Sequence, residues 1–508
     1  MTMARVWIVT ALSVATGCTF VLDRQTDQCR SDADCVKFGG FPSCEQGLCV
    51  ESGLGPEGCV LGPPHSQSDY LNACSRSKYM QFDNCARIGL CGSSSSLPPL
   101  AMPKTGTSGV QFPVTAPTNL CKDGAPSTDG VPNMIYLYGS GDFGPLLRAA
   151  QPALSAQTIP YRAVFQGASS CQGVNAIFDP TMRLMHDPLP DAKGGWAFYF
   201  DKNRDQVNCR IDPADLSNPP GVQIHIGISD LYAQTCDPRY IPGTTVAEYT
   251  GPVVPFVLST LATSPEQAIS AQAAHLIFGN GGLAPLGSGM KDATPWTDYT
   301  RYYIKNASGG SVVLTSLLID VPKNQFWGID RGSTENLRDS LLVSNTNSSI
   351  GILSIDSYDK NRGNLKALFL QAKDQRYGYL PDSTPTTIDK VNVRDGHYPL
   401  WGYVHFFAPM PPGGTDPAAN AMVLLFNPPR IDQPLVDDII QASLTPQCAM
   451  TVARTSEMGD FMPRPGFQCG CYFDLKTKRR TDCTTCVTAE DCPGQHPCNY
   501  GYCELNDN

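Results

Sequence analysis

The placement of its cysteines constrains this chain more than any other feature. There are 21 cysteines, crowded into residues 29 to 121 and 448 to 503, with none between Cys236 and Cys448. Cysteines at this density persist as disulfides only in an oxidising compartment. The two ends therefore read as small units held by disulfides, and the cysteine-poor middle must supply the large hydrophobic core. An odd count leaves one cysteine with another fate.

Cys18 is the one set apart. The chain opens with Arg5 and an apolar run, Val6 to Val14, broken only by Thr10 and Ser13. That run is too short to span a bilayer and suits a signal-peptide h-region. The next residues, Ala15-Thr16-Gly17-Cys18, resemble a bacterial lipobox, whose cysteine is S-acylated and becomes the new N-terminus. Ordinary cleavage nearby, with Cys18 left among the framework cysteines, is the alternative. With Cys18 lipidated, 21 − 1 leaves 20, the even number that a disulfide framework requires. Residues 1–17 are thus a lipoprotein signal peptide. No later apolar stretch is long enough for a transmembrane helix. The mature protein is expected in the cell envelope, on the outer membrane or a periplasmic face, held by its lipid alone. The net charge of −10 and pI near 5.2 lack the basic footprint of a nucleic-acid binder. Acidity does not exclude an anionic ligand, because backbone N–H groups and helix N-termini can hold one locally.

The two ends resemble each other. Cys29, Cys35, Cys44 and Cys49 are matched by Cys486, Cys492, Cys498 and Cys503, with five residues in the first gap and four in the last of each set. Each set reads as one small module closed by two disulfides, with three possible pairings. Zinc is disfavoured, because its sites prefer close cysteine pairs and this compartment is oxidising. Cys483-Thr484-Thr485-Cys486 has redox spacing but no βαβ context, so a structural role is expected. The segments are then 18–55, a cysteine-rich module; 56–91, a second cysteine-rich segment; 92–130, a Ser/Pro/Gly-rich linker in which Cys121 is tied down elsewhere; and 466–508, a C-terminal cysteine-rich module.

The middle, 131–465, shows a repeated pattern of strand, Gly/Ser loop and helix. Met134 to Tyr138 meets Gly139-Ser140-Gly141 and then a helical pattern from Pro145. Tyr161 to Phe165 leads into Gly167-Ala168-Ser169-Ser170-Cys171-Gln172-Gly173. Val222 to Ile226 leads into Gly227-Ile228-Ser229-Asp230, and Tyr302 to Ile304 into Lys305-Asn306-Ala307-Ser308-Gly309-Gly310-Ser311. Such turns aim free N–H groups at a ligand beyond the strand's carboxyl end. The order of these motifs resembles the type 2 periplasmic binding proteins of phosphate ABC importers. The likeness continues through Ser348 to Leu353, Tyr398-Pro399-Leu400-Trp401 and Met458 to Pro463.

The resemblance implies an α/β fold of two lobes with a ligand cleft between them, flanked by the disulfide-rich modules. Lobe 1 would be about 131–250 and 394–465, and lobe 2 about 251–393, with crossings near Gly251 and 384–393. It implies a small oxyanion such as phosphate as ligand, no cofactor and no metal. Ser140, Gly141, Ser169, Ser170, Gly309, Gly310 and Ser311 would donate, and Asp230 would accept a hydrogen bond from a protonated ligand oxygen. Each of these has a plain alternative as a turn residue, and Asp230 as a helix cap. Lys305 stands where the family has Arg and lacks its bidentate fork. An ABC permease would be the partner in uptake. The alternative is a surface recognition or adhesion lipoprotein that has kept the fold without transport, with a surface partner. An enzyme is not expected. The seven histidines, His65, His186, His225, His275, His397, His405 and His496, show no HExxH spacing, no nucleophile elbow is present, and His225 reads as a packing residue.

Overall fold

A computed structural model of the chain describes residues 29–30, 32–35, 43–45, 48–50, 54–55, 58–91, 97–103, 105–107, 115–179, 181–188, 195–212, 220–243, 245–344, 346–410, 416–426, 431–479 and 482–504. The signal peptide and Cys18 lie outside the described residues. The chain divides into two compact units, one ending at Gly62 and one beginning at Pro63.

In the first unit, the helix Asp32–Cys35 precedes a hairpin of Ser43–Glu45 and Leu48–Val50, in which Cys44 faces Cys49. Bridges join Cys29 to Cys44 and Cys35 to Cys49. In the second unit, the C-terminal module repeats this plan. Cys498 faces Cys503 across a hairpin, and bridges join Cys486 to Cys498 and Cys492 to Cys503. Both modules thus pair first with third and second with fourth. The likeness extends to one side chain: Asp34 accepts from the Arg30 N–H at 2.8 Å, and Asp491 from the Val487 N–H at 2.8 Å. All twenty cysteines other than Cys18 are disulfide-bonded.

The second unit is built on one mixed sheet of twelve strands. Its first half runs Gln206–Cys209, Ala197–Phe200, Arg162–Ala168, Met134–Ser140, Ile226–Ser229. Met134–Ser140 is parallel to both neighbours, Arg162–Ala168 and Ile226–Ser229, a pairing that needs a crossover connection rather than a tight turn. Its second half holds Ile350–Ser354, Tyr302–Ile304, Gly328–Asp330 and the edge strand Thr105–Thr107. Two long antiparallel strands, Val246–Leu261 and Trp401–Pro409, join the halves. The first pairs with Trp401–Pro409 up to Pro255 and then with Ile350–Ser354 from Phe256 onward. Its ladder shifts register between Thr250 and Val253, around Gly251-Pro252. Pro252 has no N–H to donate, so it interrupts the ladder there.

The helices Gly144–Ser155 and Ser170–Phe178 pack on the first half, and Gly310–Ile319 and Thr334–Ser344 on the second. Trp401 at the crossing is fully buried, with Phe461 stacked on one face at 5.9 Å and the Arg454 guanidinium 3.9 Å from its ring centre. Parts of the segments before the first lobe sit on the second. The His275 ring nitrogens contact the carbonyls of Ile319 and Pro98 at 2.8 and 3.2 Å, and Arg87 pairs with Glu266 at 2.7 Å. Cys121 is bridged to Cys209.

Candidate functional site

Three glycines allow the first-lobe loops to meet. Gly139, at φ +139°, lies so close to the neighbouring strand that a Cβ would fall 2.0 Å from the Ile228 carbonyl oxygen. A Cβ on Gly173 would fall 2.1 Å from the same oxygen, and one on Gly227 would fall 2.1 Å from the Gly173 carbonyl oxygen. The helix Ser170–Phe178 therefore sits directly on the backbones of two parallel strands. Its N-terminus reaches the carboxyl ends of those strands, where Ser140 and Asp230 emerge. The Cys171–Cys236 bridge ties that helix to the chain just past Asp230.

Asp230 is the centre of the arrangement. Its Oδ2 accepts from the Ser140 hydroxyl at 2.5 Å and from the Ser170 hydroxyl at 2.9 Å. The Gly310 N–H of the second lobe donates to Ser170 Oγ at 2.9 Å. A Cβ at Gly310 would lie 2.7 Å from Asp230 Oδ2, so only glycine permits this approach. Two further links cross between the lobes at Ser308. Its hydroxyl meets that of Ser169 at 2.7 Å, and its carbonyl accepts from the Cys171 N–H at 3.1 Å.

Beside this cluster lies a buried ion pair. Lys305 Nζ donates to Asp142 Oδ2 at 2.9 Å and Oδ1 at 3.1 Å, and the Thr334 hydroxyl donates to Asp142 Oδ1 at 3.1 Å. Burial, and after it the Asp142 charge, pushes the Asp230 carboxyl up to about 6. Burial acts against the charged form of Lys305, but the carboxylates of Asp142, Asp230 and Glu335 outweigh it and hold the ammonium above its ordinary range. Asp356 is also raised, first by burial.

Of the residues expected at the site, Ser140, Ser170, Asp230 and Gly310 are brought together. Ser169 joins through Ser308. Gly309 is the residue before the helix, and its N–H is given to the Asn306 carbonyl at 3.0 Å. The Ser311 hydroxyl is buried without a hydrogen-bond partner among the described residues. Gly141 lines a neighbouring chamber, and Lys305 is engaged by Asp142. The helix that follows Asp230, Ala233–Cys236, has Tyr232 at its cap, so Asp230 is not a cap. Asp142, Thr334 and Ser308 were missed from the sequence. Asp142 had a local signal, an acid directly after Gly139-Ser140-Gly141 at the start of a helix. Thr334 had none.

The cavity where the loops converge is small, about 10 Å³, which is room for about one water. Beside it, between the lobes, lies a chamber of about 620 Å³ whose walls include Gly141, Asp142, Arg148, Phe198, Thr334 and Asp356. Sulfur atoms of Cys29, Cys35 and Cys49, and of Cys486, Cys492 and Cys503, gather within 4.8 Å, but all belong to disulfides and offer no thiolate to a metal. His225 packs: its Nδ1 accepts from the Tyr136 N–H at 2.9 Å, and its ring stacks on Tyr136.

No protein-family model matches this sequence, and no curated protein does either. Solved structures are similar in architecture. An ABC-type phosphate transport receptor from Vibrio cholerae is 12% identical, over 61% of this chain and 99% of its own, with a TM-score of 0.36. PstS from Borrelia burgdorferi is 13% identical, over 62% and 98%, with a TM-score of 0.32. A human phosphate binding apolipoprotein is 13% identical, over 62% and 91%, with a TM-score of 0.38. The chain itself has a mixed α/β fold of two lobes on one shared sheet, with small disulfide-rich modules at its ends. No helix among the described residues is long and apolar enough to cross a membrane.

Proposed function

We propose that the chain is a cell-envelope binding protein, anchored through a lipid on Cys18, that takes a small oxyanion such as phosphate in the cleft between its lobes. One observation carries this reading. Ser140 and Ser170 of one lobe converge on the buried acceptor Asp230, and the Gly310 N–H of the other lobe donates to the Ser170 hydroxyl oxygen. Hydroxyls and backbone N–H groups are the donors that an oxyanion needs, and a carboxylate accepts the proton of a protonated oxyanion. When the lobes part at Ser308, these groups turn to the cleft, and closure around an anion excludes water and strengthens each bond. The reading needs no catalytic step and no cofactor. In uptake its partner is an ABC permease.

Titration calorimetry with phosphate and sulfate tests it. Phosphate is expected to bind with micromolar affinity and to outcompete sulfate near neutral pH, and Asp230→Asn is expected to narrow that preference. Absence of heat and of thermal shift with both anions would overturn the oxyanion reading. A second reading is then favoured: a surface recognition protein that kept the fold without transport. The observation behind it is that the site's donors already serve protein groups, Lys305 to Asp142 and both serines to Asp230.

A further inference from the structure

The ion pair at the cleft is a bound anion in its own right. Asp142 stands at the start of a first-lobe helix, whereas Lys305 and Thr334 belong to the second lobe. Both donate to the Asp142 carboxylate, at 2.9 and 3.1 Å from Lys305 and 3.1 Å from Thr334. An ammonium and a hydroxyl of one lobe thus hold an oxyanion supplied by the other. We propose that Asp142 is the built-in occupant of the oxyanion position, and that displacing it decides which anions the cleft admits. This rests on the reading that the cleft takes a small oxyanion.

The space around the pair agrees with an exchange. The pocket where the loops converge, lined by Ser140, Ser170, Lys305 and Gly310, is about 10 Å³ and has no room for a tetrahedral oxyanion while Lys305 is held by Asp142. Asp142 lines the neighbouring chamber of about 620 Å³, which shares Lys305 with the small pocket, so a displaced carboxylate has somewhere to go. Gly141 and Gly144, on either side of it, have no atom within 4 Å of where a Cβ would stand. The exchange must be direct. A buried ammonium left without its partner is strongly unfavourable, so the arriving anion takes Lys305 as the carboxylate leaves. A monovalent anion offers Lys305 no more than the carboxylate does. A doubly charged oxyanion such as phosphate or sulfate offers more charge and more acceptor oxygens. The groups facing Lys305 otherwise are Asp230 and Glu335, both acidic, which raises the threshold further. Asp142 therefore makes the cleft selective for divalent oxyanions and lowers its affinity for all anions.

The test is calorimetric titration of the full chain with phosphate, sulfate and acetate. Wild type is expected to bind phosphate and to exclude acetate. Asp142→Asn is expected to bind phosphate at least about tenfold more tightly, or about 1.4 kcal/mol, and to admit acetate. Asp142→Glu keeps the charge and should again exclude acetate. If Asp142→Asn binds phosphate as wild type does, Asp142 is not the occupant, and the inference falls while the oxyanion reading stands. If Asp142→Glu admits acetate as Asp142→Asn does, the effect is mechanical and the inference falls. If neither wild type nor Asp142→Asn binds phosphate or sulfate, both the inference and the oxyanion reading fall.

Discussion

Asp230 is fully buried, and among the described residues its Oδ1 has no hydrogen-bond partner while Oδ2 has two. Its carboxyl is pushed from the ordinary 3.8 up to about 6, by burial first and Asp142 second. A carboxyl raised in this way binds its proton more tightly in the folded chain than in the unfolded one. Its contribution to stability is therefore greatest below about pH 4, falls as pH rises to about 6, and is flat beyond. The loss across that window is on the order of 3 kcal/mol. Asp230→Asn keeps an acceptor for Ser140 and Ser170 but cannot ionise. Urea unfolding is expected to show wild type losing about 3 kcal/mol relative to this variant between pH 4 and pH 7. A gap that does not change with pH would mean that Asp230 is not a strained buried acid. At this scale the sequence was legible for residue types. The loops announced Ser140, Ser170, Asp230 and Gly310. They did not announce that the serines would face Asp230 itself, because that depends on how closely two strands and a helix pack.

The helix Ser170–Phe178 shows how an element delivers these groups. It lies on the strands Met134–Ser140 and Ile226–Ser229 through Gly139, Gly173 and Gly227, with no side chain between the backbones. A methyl at Gly173 would meet the Ile228 carbonyl, a backbone atom that cannot swing aside. Gly173→Ala is expected to lower unfolding free energy by about 3 kcal/mol and to displace Ser170 from Asp230. Gly141→Ala, where a Cβ meets nothing within 4 Å, serves as the near-neutral control. Equal stabilities in denaturant titration would contradict the close packing. The Gly/Ser content of 167–173 pointed to a loop before a helix, whereas the strand runs on to Ala168 and the helix begins at Ser170, with Ser169 alone between them. The role of Gly173 as a contact point, rather than a flexible turn residue, needed the facing strand at Ile228, 55 residues on.

Over the whole molecule, the two cysteine modules share one bridging pattern, Cys29–Cys44 with Cys35–Cys49 and Cys486–Cys498 with Cys492–Cys503. The spacing alone left three pairings open. The hairpins that set Cys44 opposite Cys49 and Cys498 opposite Cys503 turn each last cysteine toward the second of its set. The parity of the remaining cysteines accords with a separate fate for Cys18. Cys18→Ser is expected to move the protein from the membrane fraction to the soluble one, read by fractionation and by loss of fatty-acid labelling. A variant that stays with membranes would remove the anchor from the proposal. The C-terminal module is joined to the domain before it: Cys448 is bridged to Cys469, and the Gln433 side-chain amide donates to the Tyr472 hydroxyl at 3.0 Å. Sequence spacing pointed to the module but not to this seat.

By itself, the sequence determined what depends on neighbours along the chain. That includes an oxidising compartment, an even framework beside Cys18, and the order of strands, Gly/Ser loops and helices. These follow from local backbone chemistry and from counting. Only the tertiary structure decided which donor meets which acceptor. Asp142 and Lys305 are 163 residues apart, and Asp142 and Thr334 are 192 apart. No periodicity or spacing links such residues. They meet because two lobes close on a shared sheet, and once buried there an ammonium must find a carboxylate. The one within reach is the chain's own Asp142, and that choice turned an expected anion-binding lysine into half of an internal pair.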